Sequence, residues 1–192
     1  MKTILITILL VTGPYGLTKD QAHEAYQEVQ QRLKAEVGVG LKLKKLSRRS
    51  DIFKQYSTLN SRLQRYLKWK LYLTSIGRLK SKELVHLIFS PMSHTDGKRY
   101  ISGYASSICT YKKFKTMSMS NAQMTNHDGA ARFEQSTLAM LHEISHILGA
   151  THQDWTPNVM HGAAMSYLPT GASHWSLPLL PVTVEQVRKC TK

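Results

Sequence analysis

His142-Glu143-Ile144-Ser145-His146-Ile147-Leu148-Gly149-Ala150-Thr151-His152 is the stretch on which the fold turns. Residues four apart share one face of an α-helix, so the imidazoles of His142 and His146 can reach one metal ion, with Glu143 beside them as a base. Gly149 can take the positive φ that ends a helix in a sharp turn, which would bring His152 back as a third ligand. Three protein ligands leave a fourth position for water, the arrangement of metal-assisted hydrolysis. Two histidines on a helix could also be ordinary polar-face residues. The added glycine and third histidine favour the metal.

The helix carrying this string is expected from Ala131 to Leu148, with Phe133, Leu138, Leu141, Ile144, Ile147 and Leu148 available to pack on a sheet. Beyond Gly149 the texture changes: Pro157, Pro169, Gly171, Pro178 and Pro181 punctuate an irregular lobe that closes in a short helix from about Thr183 to Lys189. The expected plan is one domain over residues 1–192, with lobes 1–149 and 150–192.

Working back to the N-terminus, Lys2 precedes the apolar run Thr3 to Thr12, which imitates a signal segment. Its Ile, Thr and Val content, and a Gly13-Pro14-Tyr15-Gly16 turn leading into a helix, favour a buried strand. Thr18-Lys19-Asp20-Gln21 has the capping-box pattern, and Ala22, Tyr26, Val29, Leu33 and Val37 recur at helical spacing up to Gly38. Val39, Leu41 and Leu43 alternate with Gly40, Lys42 and Lys44, giving a strand with one basic face and completing a parallel βαβ unit. From Ile52 through Leu71 the apolar spacing favours a second helix, broken near Gly77, although Trp69, Leu71 and Leu73 also fit strand alternation. Leu84 to Phe89 is a third strand closed by Ser90-Pro91, Asp96-Gly97 a turn, Tyr100 to Ala105 a fourth strand and Thr116 to Asn121 a fifth.

With 192 residues, 42% hydrophobic content and a mean hydropathy of -0.30, the chain can bury a substantial core. No apolar run approaches the ~20 residues needed to span a bilayer. The formal charge of +14 gathers in two clusters, Lys42, Lys44, Lys45, Arg48 and Arg49, then Arg62, Arg65, Lys68 and Lys70. Charge runs are usually solvated faces; the functional alternative is an anionic surface or polysaccharide. Cys109 and Cys190 can form one bridge or stay as two thiols.

The complete string resembles the metzincin clan of zinc endopeptidases, and the order of strands and helices looks like its catalytic domain across nearly the whole chain. The resemblance implies an α+β fold: a twisted, mostly parallel five-stranded sheet with an antiparallel edge, three main helices and a small irregular C-terminal lobe. It implies one catalytic Zn²⁺ on His142, His146 and His152, Glu143 as general base, and Gly149 as the structural turn; calcium is left open. A methionine should lie in a tight turn beneath the metal. Met160, preceded by apolar Val159 at matrixin-like spacing, is preferred, and Met165 is the alternative.

Cysteine placement is most similar to the adamalysin (reprolysin) branch, which implies a Cys109–Cys190 disulfide and a secreted or extracytoplasmic location. That branch has aspartate directly after the third histidine; here Gln153 stands there and Asp154 follows. The resemblance also implies a protein or peptide substrate pairing with backbone around Ser102, Gly103, Tyr104 and Ala105. Its side-chain pocket would be lined by Ala163, Ala164, Tyr167 and Leu168. The chain is expected to be a monomer. His127 with Asp128 are the candidates for a second metal, while Tyr167 or His174 could assist the oxyanion, neither with spacing that would make it a catalytic candidate. A rival from another class is a basic, protease-like module that binds anionic surfaces with negligible turnover.

Overall fold

The computed structural model describes residues 3–12, 17–48, 83–90, 94–96, 99–101, 103–105, 109, 117–121, 129–162 and 172–192. The N-terminal apolar run is β1 (Thr3–Thr12), flanked on one side by β2 (Gly40–Arg48) and on the other by β3 (Glu83–Ser90), both parallel to it. Ile6, Ile8, Leu9 and Leu10 are all buried. A parallel strand covered on both faces needs apolar side chains at consecutive positions, which is why this stretch imitates a leader.

Helix α1 (Lys19–Arg32) starts as its capping box dictates: Thr18 Oγ1 accepts from the Gln21 amide at 3.2 Å, and Gln21 Oε1 accepts from the Thr18 amide at 2.9 Å. Losing such a cap costs about 1 kcal/mol. Ala22, Tyr26, Val29, Leu33 and Val37 are buried, as their spacing predicts. The last turn, Leu33–Val37, widens into a π-helix and stops at Gly38, whose φ of 80° is left-handed.

The chain then enters β2, where a register shift between Ile6 and Thr7 of β1 leaves Lys44 and Lys45 both exposed. Among the described residues β2 ends the sheet, and Lys42, Lys44, Lys45 and Arg48 stand exposed along it. Lysines on an edge strand discourage edge-to-edge pairing with other chains. The helix expected from Ile52 and the second basic cluster lie outside the described residues.

β3 continues inward to β7 (Met117–Asn121), parallel to it, and β7 pairs antiparallel with β6 (Gly103–Ala105), so the strand order is β2-β1-β3-β7-β6. The strand expected from Tyr100 to Ala105 is divided. Tyr100 and Ile101 belong to β5 (Arg99–Ile101), which forms a separate antiparallel ribbon with β4 (His94–Asp96), whereas Gly103 pairs with Ser120 in the main sheet. The physical reason is pairing: residues 99–101 and 103–105 take different partners, and β propensity is blind to that.

Helix α2 (Gly129–Ile147) packs on α1, β6 and β7, burying Leu138, Met140, Leu141, Ile144, Ile147 and Leu148. A 3₁₀ turn (His174–Ser176) and helix α3 (Pro181–Thr191) complete the described chain. α3 starts two residues before the expected Thr183, because Pro181 suits the first helical turn, where its missing N–H is no loss. Three helices and a small sheet with a parallel centre fit the expected α+β class. Among the described residues no helix is long and apolar enough to cross a membrane.

Candidate metal centre

Helix α2 carries His142 and His146 one turn apart and ends in a Schellman turn. The Gly149 amide donates to the His146 carbonyl and the Ala150 amide to the Ser145 carbonyl, both at 3.0 Å, around Gly149 at φ 106°. That left-handed residue reverses the chain, so that His152 returns to the two helical histidines.

The three imidazoles converge. His146 Nε2 lies 3.1 Å and His152 Nε2 3.3 Å from His142 Nε2. The Nδ1 atoms of the helical pair face carbonyl oxygens, Val159 at 2.6 Å from His142 and Ala150 at 2.8 Å from His146. A carbonyl only accepts, so Nδ1 of each ring carries the proton and donates, leaving the Nε2 lone pairs aimed at one another. Lone pairs this close repel unless a cation lies among them. Tetrahedral zinc with Zn–N of ~2.0–2.1 Å separates its nitrogens by about 3.3 Å, so the donor set and its spacing fit this ion. Among the described residues these three histidines form a group able to hold a metal.

Electrostatics agree with ligation. Burial, with a smaller contribution from the neighbouring His146, pushes the His142 imidazole down to about 3. Burial likewise brings His146 down to about 4. Both rings are therefore neutral at pH 7, the form that offers a lone pair to a metal. Glu143 is buried beside His142 on α2.

Beneath the histidines, the chain from Gln153 to Gly162 folds on itself. The Gln153 amide donates to the Met160 carbonyl at 3.1 Å, and the buried Asn158 side chain accepts from the Met160 amide at 2.7 Å while donating to the carbonyls of Gln153 and Thr156. This turn buries Met160 completely and aims the Val159 carbonyl at His142. Asp154 closes the loop by accepting from the Gly162 amide at 2.9 Å, and that bond holds its carboxyl below the usual carboxylate range. Met165, the alternative, lies outside the described residues.

Cys109 and Cys190 are joined in a disulfide. Gly103, Tyr104 and Ala105 form β6, the last strand of the sheet on that side among the described residues. Ser102, Tyr167, Ala163, Ala164, Leu168, His127 and Asp128 fall outside the described residues. His174 is buried away from solvent, and its ring and amide lie 2.7 and 2.6 Å from Glu134 Oε2, so the imidazole is committed to a structural bond. Burial would raise the Glu134 carboxyl, but the His174 bonds outweigh it and hold it below its ordinary value.

Three structural residues escaped sequence reasoning. Asn158 had a local signal, since an Asn two residues before a turn amide is a familiar capping pattern. Glu134 and Arg32 had none. Arg32 is buried, pairs with Glu36, donates to the carbonyls of His174 and Leu177, and lies 5.2 Å from the Trp175 ring centroid.

Comparison with known structures gives the same architecture. Metalloproteinase-II from Bacteroides fragilis superposes with a TM-score of 0.66 at 19% identity, covering 98% of this chain and 52% of that one. The chain thus spans about half the length of that protein. Archaemetzincin from Methanopyrus kandleri gives 0.61 at 13% identity, covering 97% and 94%. A zinc-dependent peptidase from Methanocorpusculum labreanum gives 0.58 at 11%, covering 95% and 99%. At such identities the likeness is one of fold. No curated protein matches the chain in sequence. The family model of metallopeptidase family M12B, reprolysin-like, matches residues 20–153, most of the chain and all three histidines. By that match the chain belongs to the reprolysin-like metallopeptidases of family M12B.

Proposed function

We propose that the chain is a metzincin-type zinc endopeptidase in which His142, His146 and His152 hold the ion and Glu143 is the general base. The observation that carries this reading is the convergence of the three Nε2 atoms, two of them fixed as acceptors toward the metal by carbonyls behind the rings. When bound, zinc supplies Lewis acidity, making water nucleophilic near neutral pH and offsetting charge on a carbonyl oxygen. Glu143 takes the proton of the attacking water and delivers it to the leaving amine. Its burial suits the role, because a carboxylate in a low-dielectric site is a stronger base than one in water.

Met160 is the methionine of the turn, supporting His142 through the Val159 carbonyl beside it. Peptide substrate binds extended along β6, whose outer edge has no strand partner among the described residues and so offers main-chain donors and acceptors around Gly103 to Ala105. The mostly parallel sheet with this antiparallel edge, and the division into lobes at Gly149, belong to the same proposal. So does a monomeric enzyme in a secreted or extracytoplasmic setting, which the disulfide supports.

Digestion of a peptide library by wild type and by Glu143→Ala tests the reading. Cleavage by wild type, abolished by chelator and by the substitution while zinc stays bound, is the expected outcome. Full activity of Glu143→Ala would remove Glu143 from the mechanism.

The exposed Lys42, Lys44, Lys45 and Arg48 of β2 favour a second reading, attachment to an anionic surface or polysaccharide. Affinity for heparin that falls steeply with salt, in a protein that cleaves nothing, would put binding in place of catalysis.

A further inference from the structure

Of the three histidines, His152 is the one without a helix to hold it. Its backbone lies beyond the Gly149 reversal, and among the described residues no acceptor stands within hydrogen-bonding distance of its Nδ1, whereas His142 and His146 each have a carbonyl there. The position of this ring therefore depends on how firmly the turn before it is held. That turn is gripped by one face of α3. Gln186 and Cys190 are a helical turn apart, so they project side by side. Gln186 Oε1 accepts from the Thr151 amide at 3.0 Å, and Gln186 Nε2 donates to Thr151 Oγ1 at 2.9 Å.

Four residues on, the Cys109–Cys190 bridge packs against Gly149 so closely that a Cβ at Gly149 would lie 2.6 Å from Cys190 Cβ, 2.8 Å from its Sγ and 3.2 Å from Cys109 Sγ. Between these two contacts is Ala150, whose carbonyl fixes the His146 ring. One helix face thus holds both ends of a three-residue turn that orients His146 and delivers His152.

We propose that the Gln186–Cys190 face of α3 is a positioning element for the metal centre, setting its affinity through the 149–151 turn without touching the ion. The inference rests on the metal-site reading above. Neither residue is catalytic; both act through Gly149, Thr151 and the ligands that follow from them.

The test is zinc affinity by chelator competition on the full chain, for wild type, Gln186→Leu, Gln186→Glu and the double variant C109A/C190A. The Co²⁺-substituted absorption spectrum is read alongside, because it reports ligand geometry, which a merely stabilising contact would not alter. Gln186→Leu removes both bonds to Thr151 while keeping a good helix former, and should weaken zinc about 10-fold, the scale seen when groups behind metal ligands are removed. It should also change the cobalt spectrum. Gln186→Glu still accepts from the Thr151 amide and can accept from its hydroxyl, so affinity should return to within about twofold of wild type.

In the chelator-treated protein, amide exchange at Ala150 and Thr151 should be faster in Gln186→Leu than in wild type. The double variant should lose affinity in the same direction, and should it fail to fold, the Gln186 pair decides alone. A wild type that binds zinc beside a Gln186→Leu that binds as tightly, with an unchanged cobalt spectrum, would overturn this inference alone. A wild type that takes up no zinc would overturn the metal-site reading and this inference with it.

Discussion

The Nδ1 atom of His142 lies 2.6 Å from the carbonyl oxygen of Val159, seventeen residues along the chain. This bond ties helix α2 to the turn around Met160 and leaves Nε2 of His142 facing the other two histidines. The turn is in turn shaped by Asn158, whose side chain bonds the Met160 amide and the carbonyls of Gln153 and Thr156.

Asn158→Ala should therefore act on stability and metal together. Leaving a buried amide and two carbonyls without their partner costs about 2 kcal/mol, and displacement of the Val159 carbonyl should weaken zinc about 10-fold. Urea unfolding and chelator competition on the same preparation check both. A destabilised variant with wild-type zinc affinity would separate the turn from the metal.

Two glycines with the same sign of φ should respond differently to alanine. Gly38, at φ 80°, has nothing within 4 Å of an added Cβ, so Gly38→Ala should cost about 1 kcal/mol for the left-handed backbone alone. Gly149, at φ 106°, meets the Cys109–Cys190 bridge as well, and Gly149→Ala should cost about 3 kcal/mol or more. Equal losses in thermal or urea unfolding would mean that the bridge yields freely.

Much of the site was legible because its signal is local. The string from His142 to His152 places two of the converging histidines by helical period and the third by one glycine, and Thr18 with Gln21 marks a helix start within four residues. Pairings between distant residues left no such trace. The carbonyl partners of Arg32 are 142 and 145 residues away, and main-chain carbonyls have no sequence identity to read. The division of Tyr100 to Ala105 between two strand partners was hidden for the same reason, since Gly103 pairs with Ser120 and Ile101 with His94. Only the resemblance to adamalysins pointed to the Cys109–Cys190 bridge.

Arg32 shows what the hidden part contributes. Arg32→Ala would leave the carbonyls of His174 and Leu177 and the Glu36 carboxylate without their donor, an expected loss of about 3 kcal/mol. Urea unfolding measures it. Because these contacts hold the 3₁₀ turn to α1, zinc affinity should stay within about twofold of wild type, well short of the 10–100-fold losses from groups behind metal ligands. A large loss of metal would show that the network reaches the histidines.

His86 sets a pH dependence separate from the metal ligands. It is fully buried on β3, and burial pushes its imidazole down to about 3 against about 6.5 in the unfolded chain. The unfolded state therefore binds the extra proton. The stability contributed by keeping His86 neutral is fully present above pH ~6.5 and declines by about 1.4 kcal/mol per pH unit as pH falls toward 3. In His86→Leu, the slope of unfolding free energy against pH between 6 and 4 should be shallower by that amount. An unchanged slope would show that His86 does not titrate on unfolding.

The central claim is that His142, His146 and His152 hold one zinc ion with room for water. Zinc-edge X-ray absorption on the purified protein tests it directly. The expected spectrum has three imidazole nitrogens at ~2.0–2.1 Å and one oxygen, with one zinc per chain. A chain that takes up no zinc, or zinc coordinated without the three imidazoles, would contradict the account.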